Sequence, residues 1–393
     1  MMIAGRQVLV IGGGIAGLAV ATLLAQRGAQ VEVVERAATI SEVGAGLQIS
    51  PNGAVVLRAM GLGDALEGAG LRARAVILRD GRSGRRVTRL DLAGSRAGQD
   101  YFLLHRADLI DLLATAARGA GVAITTGQEV TGVDLDGPAV TLGSARRGAD
   151  LVIGADGLRS LARSALNGRM VPFFTHQVAW RAMIAEDAGT APPDVQVFMG
   201  PGRHLVSYPL RGGSLRNIVA VEERHGWADE GWHHADTPEN LRAAFAGFGG
   251  PVPDWLDHVE EVNLWGLFRH PVAARWHDGG RAAILGDAAH PTLPFLAQGA
   301  NMALEDAWSL AAALGARKDP AEALAGWQAA RVPRVRRIVE AANRNARAYH
   351  LRGPVRSVAH LGLRLGGALA PGLALSRFDW VYRYDVTAAA PTP

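Results

Sequence analysis

The residues with the clearest chemical pattern stand near the start of the chain: Gly12, Gly14 and Gly17 in "QVLVIGGGIAGLAVATLLAQRGAQVEVVER", with Glu35 and Arg36 at its end. The first glycine permits a tight turn, the second lets a pyrophosphate approach the backbone, and the third lets a helix pack closely on a strand. An acid about 20 residues further on is placed to accept a ribose hydroxyl. The pattern predicts a bound dinucleotide and leaves open whether it is FAD or a nicotinamide nucleotide.

Two more turns combine an acid with a glycine: Asp156-Gly157 in "DLVIGADGLRSLAR" and Gly286-Asp287 in "ILGDAAHPTLPFLAQGANMALEDAWSL". Each follows an apolar run that reads as a strand, and open α/β sheets bind ligands at such strand ends. Three separated segments meeting in one crevice suit a long cofactor such as FAD. His290 lies in the third segment, but no second ligand is spaced as a zinc site requires. No metal is expected.

A third group sits in "GRHLVSYPL". In a strand, His204, Val206 and Tyr208 face one way and Leu205 and Ser207 the other. The Cα atoms of His204 and Tyr208 are then roughly 13 Å apart, able to bracket a substituted benzene ring. A phenol becomes a far better nucleophile as phenolate, and histidine titrates near neutrality. His204 is therefore the candidate base and Tyr208 an orienting donor. Arg181, in "AWRAM", is a candidate partner for a substrate carboxylate, with a structural ion pair as the alternative.

These groups need a scaffold. Val8 to Ile11 reads as a buried strand, Leu18, Ala21, Leu24 and Ala25 recur at helical spacing, and Val31, Val33 and Glu35 alternate, giving a βαβ opening. Gly28 marks the helix end. "HRADLIDLLATAARGAG" reads as a helix with Leu109, Leu112, Leu113 and Ala116 on one stripe. Between about 170 and 270, short runs rich in aromatic and β-branched residues argue for an antiparallel sheet. The fold expected is α/β: a Rossmann-like nucleotide domain (1–72, 100–168 and 270–345) interrupted by a mostly antiparallel β-rich domain (73–99 and 169–269), then a helical segment with a frayed tail (346–393).

The 393 residues suffice for two domains, and 49% hydrophobic with 20% charged residues fits a globular protein. With no cysteine, disulfides, thiolate metal sites and cysteine nucleophiles are excluded, which fits a reducing cytoplasm. A net charge of +4 favours small anions over nucleic acid. The basic stretch at 331–352 reads as a solvated or subunit-facing helix. The apolar run at 361–375 is broken by Arg364, Pro371 and several glycines, so no membrane span is expected.

Taken together, "GGGIAGLAVA", "GAGLQISPNG", "DLVIGADGLRSLAR" and "ILGDAAHPTLPFLAQGANMALEDA" resemble, in order and spacing, the single-component FAD-dependent aromatic hydroxylases of para-hydroxybenzoate hydroxylase fold. The likeness is closer to the salicylate, 3-hydroxybenzoate and 6-hydroxynicotinate hydroxylases and covers roughly residues 5 to 350. It implies that Asp287 bonds the ribityl chain, that Asp156 and Gly157 serve both FAD and the reduced nicotinamide, that Arg106 contacts the cofactor, and that Gly44 to Gly46 lie near the flavin ring. Gly299, Ala300 and Asn301 are small or short enough to run beside that ring. The helix they open would aim its amides at the pyrimidine edge, worth about 0.3–2 kcal/mol to an anion.

By the same resemblance, Gln298 and the region of Pro291 and Pro294 lie near the substrate, and His204 with Tyr208 match the histidine and tyrosine that hydroxybenzoate and hydroxynicotinate members present to it. The activity implied is NAD(P)H- and O2-dependent hydroxylation of a phenolic or hydroxypyridine aromatic acid through a flavin C4a-hydroperoxide, with NADH the preferred donor. The rivals are another flavoenzyme of this fold, such as an epoxidase or reductase, and a non-enzymatic FAD-fold binding protein. The tryptophan-x-tryptophan-x-isoleucine-proline signature of flavin halogenases is absent. No thioredoxin-like domain follows the helical end, so the dimer contacts such a domain supplies are not presumed; either a monomer or a homodimer is expected.

Overall fold

The computed structural model describes residues 3–40, 46–92, 100–224, 226, 234–370 and 372–388. Gly44 therefore lies outside the described residues, as do residues 389–393 of the tail. A five-stranded parallel sheet runs in the order Ala282–Ile284, Leu151–Gly154, Gln7–Ile11, Gln30–Val34 and Ala123–Thr125. Val8 to Ile11 are all buried, as a central strand covered on both faces requires. The helix Ile15–Ala25 packs on the helices Arg106–Gly119 and Gly299–Ala316. It ends where Gly28 takes a φ of 89° and the Ala29 amide bonds back to the Leu24 carbonyl at 3.1 Å, a left-handed helix stop. The helix Arg106–Gly119 buries Leu109, Ile110, Leu113, Ala114 and Ala117, so Leu112 and Ala116 lie at the margin of its stripe rather than in it.

The second large element is an eight-stranded sheet. It takes strands Ala75–Asp80 and Arg86–Asp91 from early in the chain and the remainder from 173 to 269. All its pairings are antiparallel except one: Asp194–Gly200 runs parallel to Ala75–Asp80. Its outer face, with Trp180, Phe198, Leu205 and Ile218, is covered by Leu241, Phe245, Trp255 and Leu256 from two short helices. Its inner face carries Ala179, Val221, Trp265 and Leu267 against Leu293 and Phe295 of the loop before Gly299 and against Ala346. The strand Gly46–Ile49, in a small sheet with Phe102–His105 and Leu71–Arg72, also meets this face, where the Gly46 amide donates to Asn217 Oδ1 at 2.8 Å.

The C-terminal part is helical, chiefly Pro320–Tyr349 and Gly353–Leu369. The basic stretch departs from its expected solvated character. Arg331 is only 1% exposed, and it and Arg334 turn inward to Glu305. Two wholly buried carboxylates, Glu305 and Asp306, draw these arginines in, because an uncompensated buried charge costs several kcal/mol. Among the described residues no helix is long and apolar enough to cross a membrane.

Candidate active site

The glycine turn is shaped for close approach. Gly12 holds a φ of 104°, and a Cβ there would sit 2.5 Å from the Ala155 carbonyl oxygen. A Cβ on Gly17 would lie 1.9 Å from the Gly12 oxygen, so helix and turn meet only because both are glycine. Gly14 caps the helix with extended backbone, no side-chain cap and no acid in the first turn, and a Cβ there would meet nothing within 4 Å. The helix thus presents amides and open space together, the combination a pyrophosphate needs. Glu35 accepts the Gly13 amide at 2.6 Å and the Ala37 amide at 2.8 Å, which fixes its carboxylate beside the turn. Arg36 next to it is exposed.

Asp156 is spent on its own helix. It accepts from Ser160 Oγ, from the Leu161 amide at 2.7 Å and from the Ala162 amide at 3.3 Å. Gly157 follows with a φ of 73° and open space at its Cα. The sequence reading missed Arg163, three residues past Ser160. Its guanidinium is buried and donates to the carbonyls of Ala288, Ala289 and Pro271, tying the second acid–glycine turn to the third. The signal was an arginine at a helix position where the stripe called for an apolar residue.

At the third turn Gly286 has a φ of 59°, and a Cβ there would come within 2.9 Å of Ala16. The next residue, Asp287, makes no hydrogen bond among the described residues. The residue is exposed, but its carboxyl lies against protein. That confinement raises its pKa, with partial relief from His290 and Arg106. Burial in turn lowers the Arg106 guanidinium, and Asp287 opposes the shift.

Beneath this turn lies a fixed polar core. Asp306 accepts the Gly286 amide at 3.2 Å, His290 Nε2 at 2.5 Å and Arg331 Nε at 2.8 Å. Burial alone would raise the Asp306 carboxyl, but His290 and Arg331 carry it below the ordinary range. Glu305 accepts from Arg331, Arg334 and Asn52. His290 is therefore a structural partner of Asp306.

Gln298 and Asn301 face inward as well. Gln298 accepts from Asn52 Nδ2 at 3.0 Å and donates to Ser50 Oγ at 2.9 Å, and it is 1% exposed. Asn301 accepts the Ser50 amide at 3.0 Å and donates to the Gln48 and Ala297 carbonyls. These side chains stitch the loop to the segment after Gly46, and Ala297 between them takes a left-handed φ of 51°, a conformation that costs a non-glycine residue about 1–2 kcal/mol. The backbone of Gly299 and Ala300 stays partly accessible at the helix start, where no side chain caps and no acid occupies the first turn. Pro291 is buried and Pro294 exposed, the latter opening a single turn that carries Phe295.

The inner face of the large sheet brings the remaining candidates together. Tyr208 packs on Gly46, where a Cβ would sit 2.7 Å from its ring. Burial raises the Tyr208 hydroxyl, which also hydrogen-bonds Gln48, and Gln48 accepts from Tyr101 at 2.6 Å. Arg181 has no carboxylate partner among the described residues, and its buried Nε lacks a hydrogen bond. Burial, and then Arg106, bring its guanidinium down to about 9, with Tyr208 opposing. His204 is 1% exposed, ringed by Phe295, Tyr349 and His350. Burial, and secondarily His350, hold its imidazole well below the ordinary value, so it is neutral at pH 7.

The residues fit a dinucleotide with a planar ring. Glycine cradles would take the phosphates, the Asp287 carboxyl makes no hydrogen bond among the described residues, and the helix opened by Gly299 packs on the same turn. In agreement with this, a family described as "FAD binding domain" matches residues 6–342. The 3-amino-4-hydroxybenzoate 2-monooxygenase PtnB3 of Streptomyces platensis is 37% identical over 360 residues, covering 88% of this chain and 89% of that protein. The 3-hydroxybenzoate 6-hydroxylase of Polaromonas naphthalenivorans (strain CJ2) is 33% identical, with 96% of each covered. Among solved structures, Klebsiella pneumoniae HpxO complexed with FAD and uric acid superposes with a TM-score of 0.81 at 28% identity, covering 94% of this chain and 96% of that one.

Proposed function

Since this chain belongs to the FAD binding domain family and is an FAD-dependent flavoprotein monooxygenase, we propose that it hydroxylates a phenolic or hydroxypyridine aromatic acid, with NAD(P)H and O2 as co-substrates. The observation that carries the reading is Arg181, a guanidinium without a carboxylate partner among the described residues, on the sheet face that also holds neutral His204. A desolvated cation lacking a counterion is costly, and the carboxylate of an aromatic acid supplies one.

The nucleotide would lie with its pyrophosphate on Gly12, Gly14 and Gly17 and its adenosine end toward Glu35 and Arg36. Arg106 and Asp287 would hold the ribityl chain, with the Asp156-Gly157 turn beside them. Gly46, Gly299 and Ala300 would border the ring. When bound, the flavin would take a hydride from the nicotinamide and with O2 supply the electrophilic oxygen. The protein's own part is to hold the substrate carboxylate at Arg181, orient its ring against Tyr208, and accept the phenolic proton at His204 Nε2, which raises the ring's nucleophilicity. Gln298 and Asn301 act one step removed, by fixing the loop through Asn52, Ser50 and Gln48.

The test is direct. Purified protein should be yellow, and its anaerobic bleaching by NADH should accelerate with 3-amino-4-hydroxybenzoate, 3-hydroxybenzoate or 6-hydroxynicotinate. Oxygen uptake with formation of a hydroxylated product then completes the assignment. A yellow protein whose spectrum and reduction rate ignore every aromatic acid would overturn the aromatic-acid reading.

A further inference from the structure

His204 does not end in the protein interior. Its Nδ1 lies 2.7 Å from His350 Nε2, and His350 Nδ1 lies 2.9 Å from Glu223 Oε1. Glu223 is 39% exposed and is held from its other oxygen by Arg352 at 2.7 Å. His350 is the residue at which the helix Pro320–Tyr349 ends, and its carbonyl accepts the Gly202 amide at 3.2 Å, so its ring is anchored by backbone on the turn before His204. The two imidazoles and one carboxylate thus form an unbroken line from the inner face of the sheet to solvent. His204 Nε2 has no hydrogen-bond partner among the described residues.

We propose that His350 and Glu223 are positioning residues that carry the substrate's phenolic proton from His204 to bulk water. The inference rests on the reading of His204 as the base. In the resting tautomers His204 donates its Nδ1 proton to His350 Nε2, and His350 donates its own Nδ1 proton to Glu223. As the phenol O–H bond breaks, a proton bonds to His204 Nε2. The Nδ1 proton of His204 passes to His350 Nε2, and the Nδ1 proton of His350 passes to Glu223 and then to water. One proton leaves the phenol and one appears in solvent, with no redox change. The reverse transfer resets both rings when the product phenolate is reprotonated.

Two features make a line of this kind more than packing. A buried imidazole disfavours its cationic form, so a base confined as His204 is passes a proton on more readily than it stores one. The groups facing the line have fixed roles too: Arg352 neutralises Glu223, Phe295 and Tyr349 wall the His204 ring, and burial pushes the Tyr349 hydroxyl up to about 12, leaving it protonated.

The experiment uses FAD-loaded enzyme mixed rapidly with 3-amino-4-hydroxybenzoate, 3-hydroxybenzoate and 6-hydroxynicotinate in turn, with a pH indicator reporting proton release and ligand absorbance reporting phenolate. Wild type should release about one proton per bound phenol. H350Q and E223Q should each slow release roughly tenfold or more while ligand affinity and flavin content hold. E223D should recover most of the rate, which a purely structural role does not require. H204N should abolish phenolate formation. Because Glu223 lies at the surface, E223Q keeps the test valid if H350Q folds poorly. Release at the wild-type rate in E223Q and H350Q, with H204N inactive, would overturn the relay and leave the base in place. Absence of release in wild type with all three acids would remove the base and the relay together.

Discussion

The guanidinium carbon of Arg181 stands 4.0 Å from the ring centroid of Trp265, and this aromatic face stands where a carboxylate partner would be expected. Cation–π contact of this kind is worth about 0.5–2 kcal/mol, less than a buried charge pair, so it orients the cation without saturating it. Such an arrangement keeps the charge available to an incoming anion.

Replacing Arg181 with Met should therefore weaken an aromatic acid by about 2–5 kcal/mol, roughly thirtyfold or more, with flavin affinity unchanged. Titration of the flavin spectrum with the acid measures this directly. The neutral amide of the same acid should bind wild type and variant alike. Equal affinity of both proteins for the acid would place the carboxylate elsewhere.

The glycines separate fold from ligand. G17A forces a Cβ to within 1.9 Å of a carbonyl oxygen and should lower thermal stability as well as flavin content. G14A meets no protein atom, so its apo-protein should melt like wild type while its FAD affinity falls about tenfold or more. Calorimetry of apo-protein beside fluorescence quenching of FAD compares the two. Undiminished FAD affinity in G14A would mean the phosphates do not approach this residue.

Asp287 is held ready at the expense of stability. Its folded pKa is raised above the unfolded value, so the associated stability is present below the unfolded pKa and is lost as pH rises through the folded pKa. D287N should then melt above wild-type apo-protein at pH 7 and level with it near pH 3. The same variant should bind FAD more weakly. Reversal of the melting order would show that the carboxylate is already satisfied by Arg106.

Asp306 has the opposite sign. Its folded pKa is depressed, so its contribution is complete above the unfolded pKa and is lost as pH falls through the folded one. D306N breaks a buried network with His290 and Arg331 and should cost about 3–5 kcal/mol at pH 7 in a denaturant titration. The loss should shrink below pH 4. A loss under 1 kcal/mol at pH 7 would mean that His290 and Arg331 find other partners.

What could be read from the sequence was local. The strand, turn and helix around Gly12, Gly14 and Gly17 lie within one short segment, and the alternation at His204 and Tyr208 shows directly which side chains share a face. What could not be read depended on register between distant strands. Asn217 meets Gly46 across 171 residues, and Trp265 comes under Arg181 only through the pairing of two strands whose order in the sheet no periodicity announces. Arg331 misled for a related reason. A basic run looks solvated until the buried acids it faces, Glu305 and Asp306, are known to be adjacent. Gln298 lay within reach of local reasoning, since a loop held in a left-handed turn needs its own amide donors and acceptors, but its partners Ser50 and Asn52 belong to another segment.

The parallel pairing of Ala75–Asp80 with Asp194–Gly200 bears on how the chain is made. As the polypeptide emerges from the ribosome, an early hairpin must wait with an open hydrogen-bonding edge until a strand synthesised much later arrives to cover it, while Gln7–Ile11 waits similarly for Leu151–Gly154. Both sheets therefore depend on pairings between segments synthesised far apart in time, and until these form, their open edges are sites where nascent chains can pair with one another.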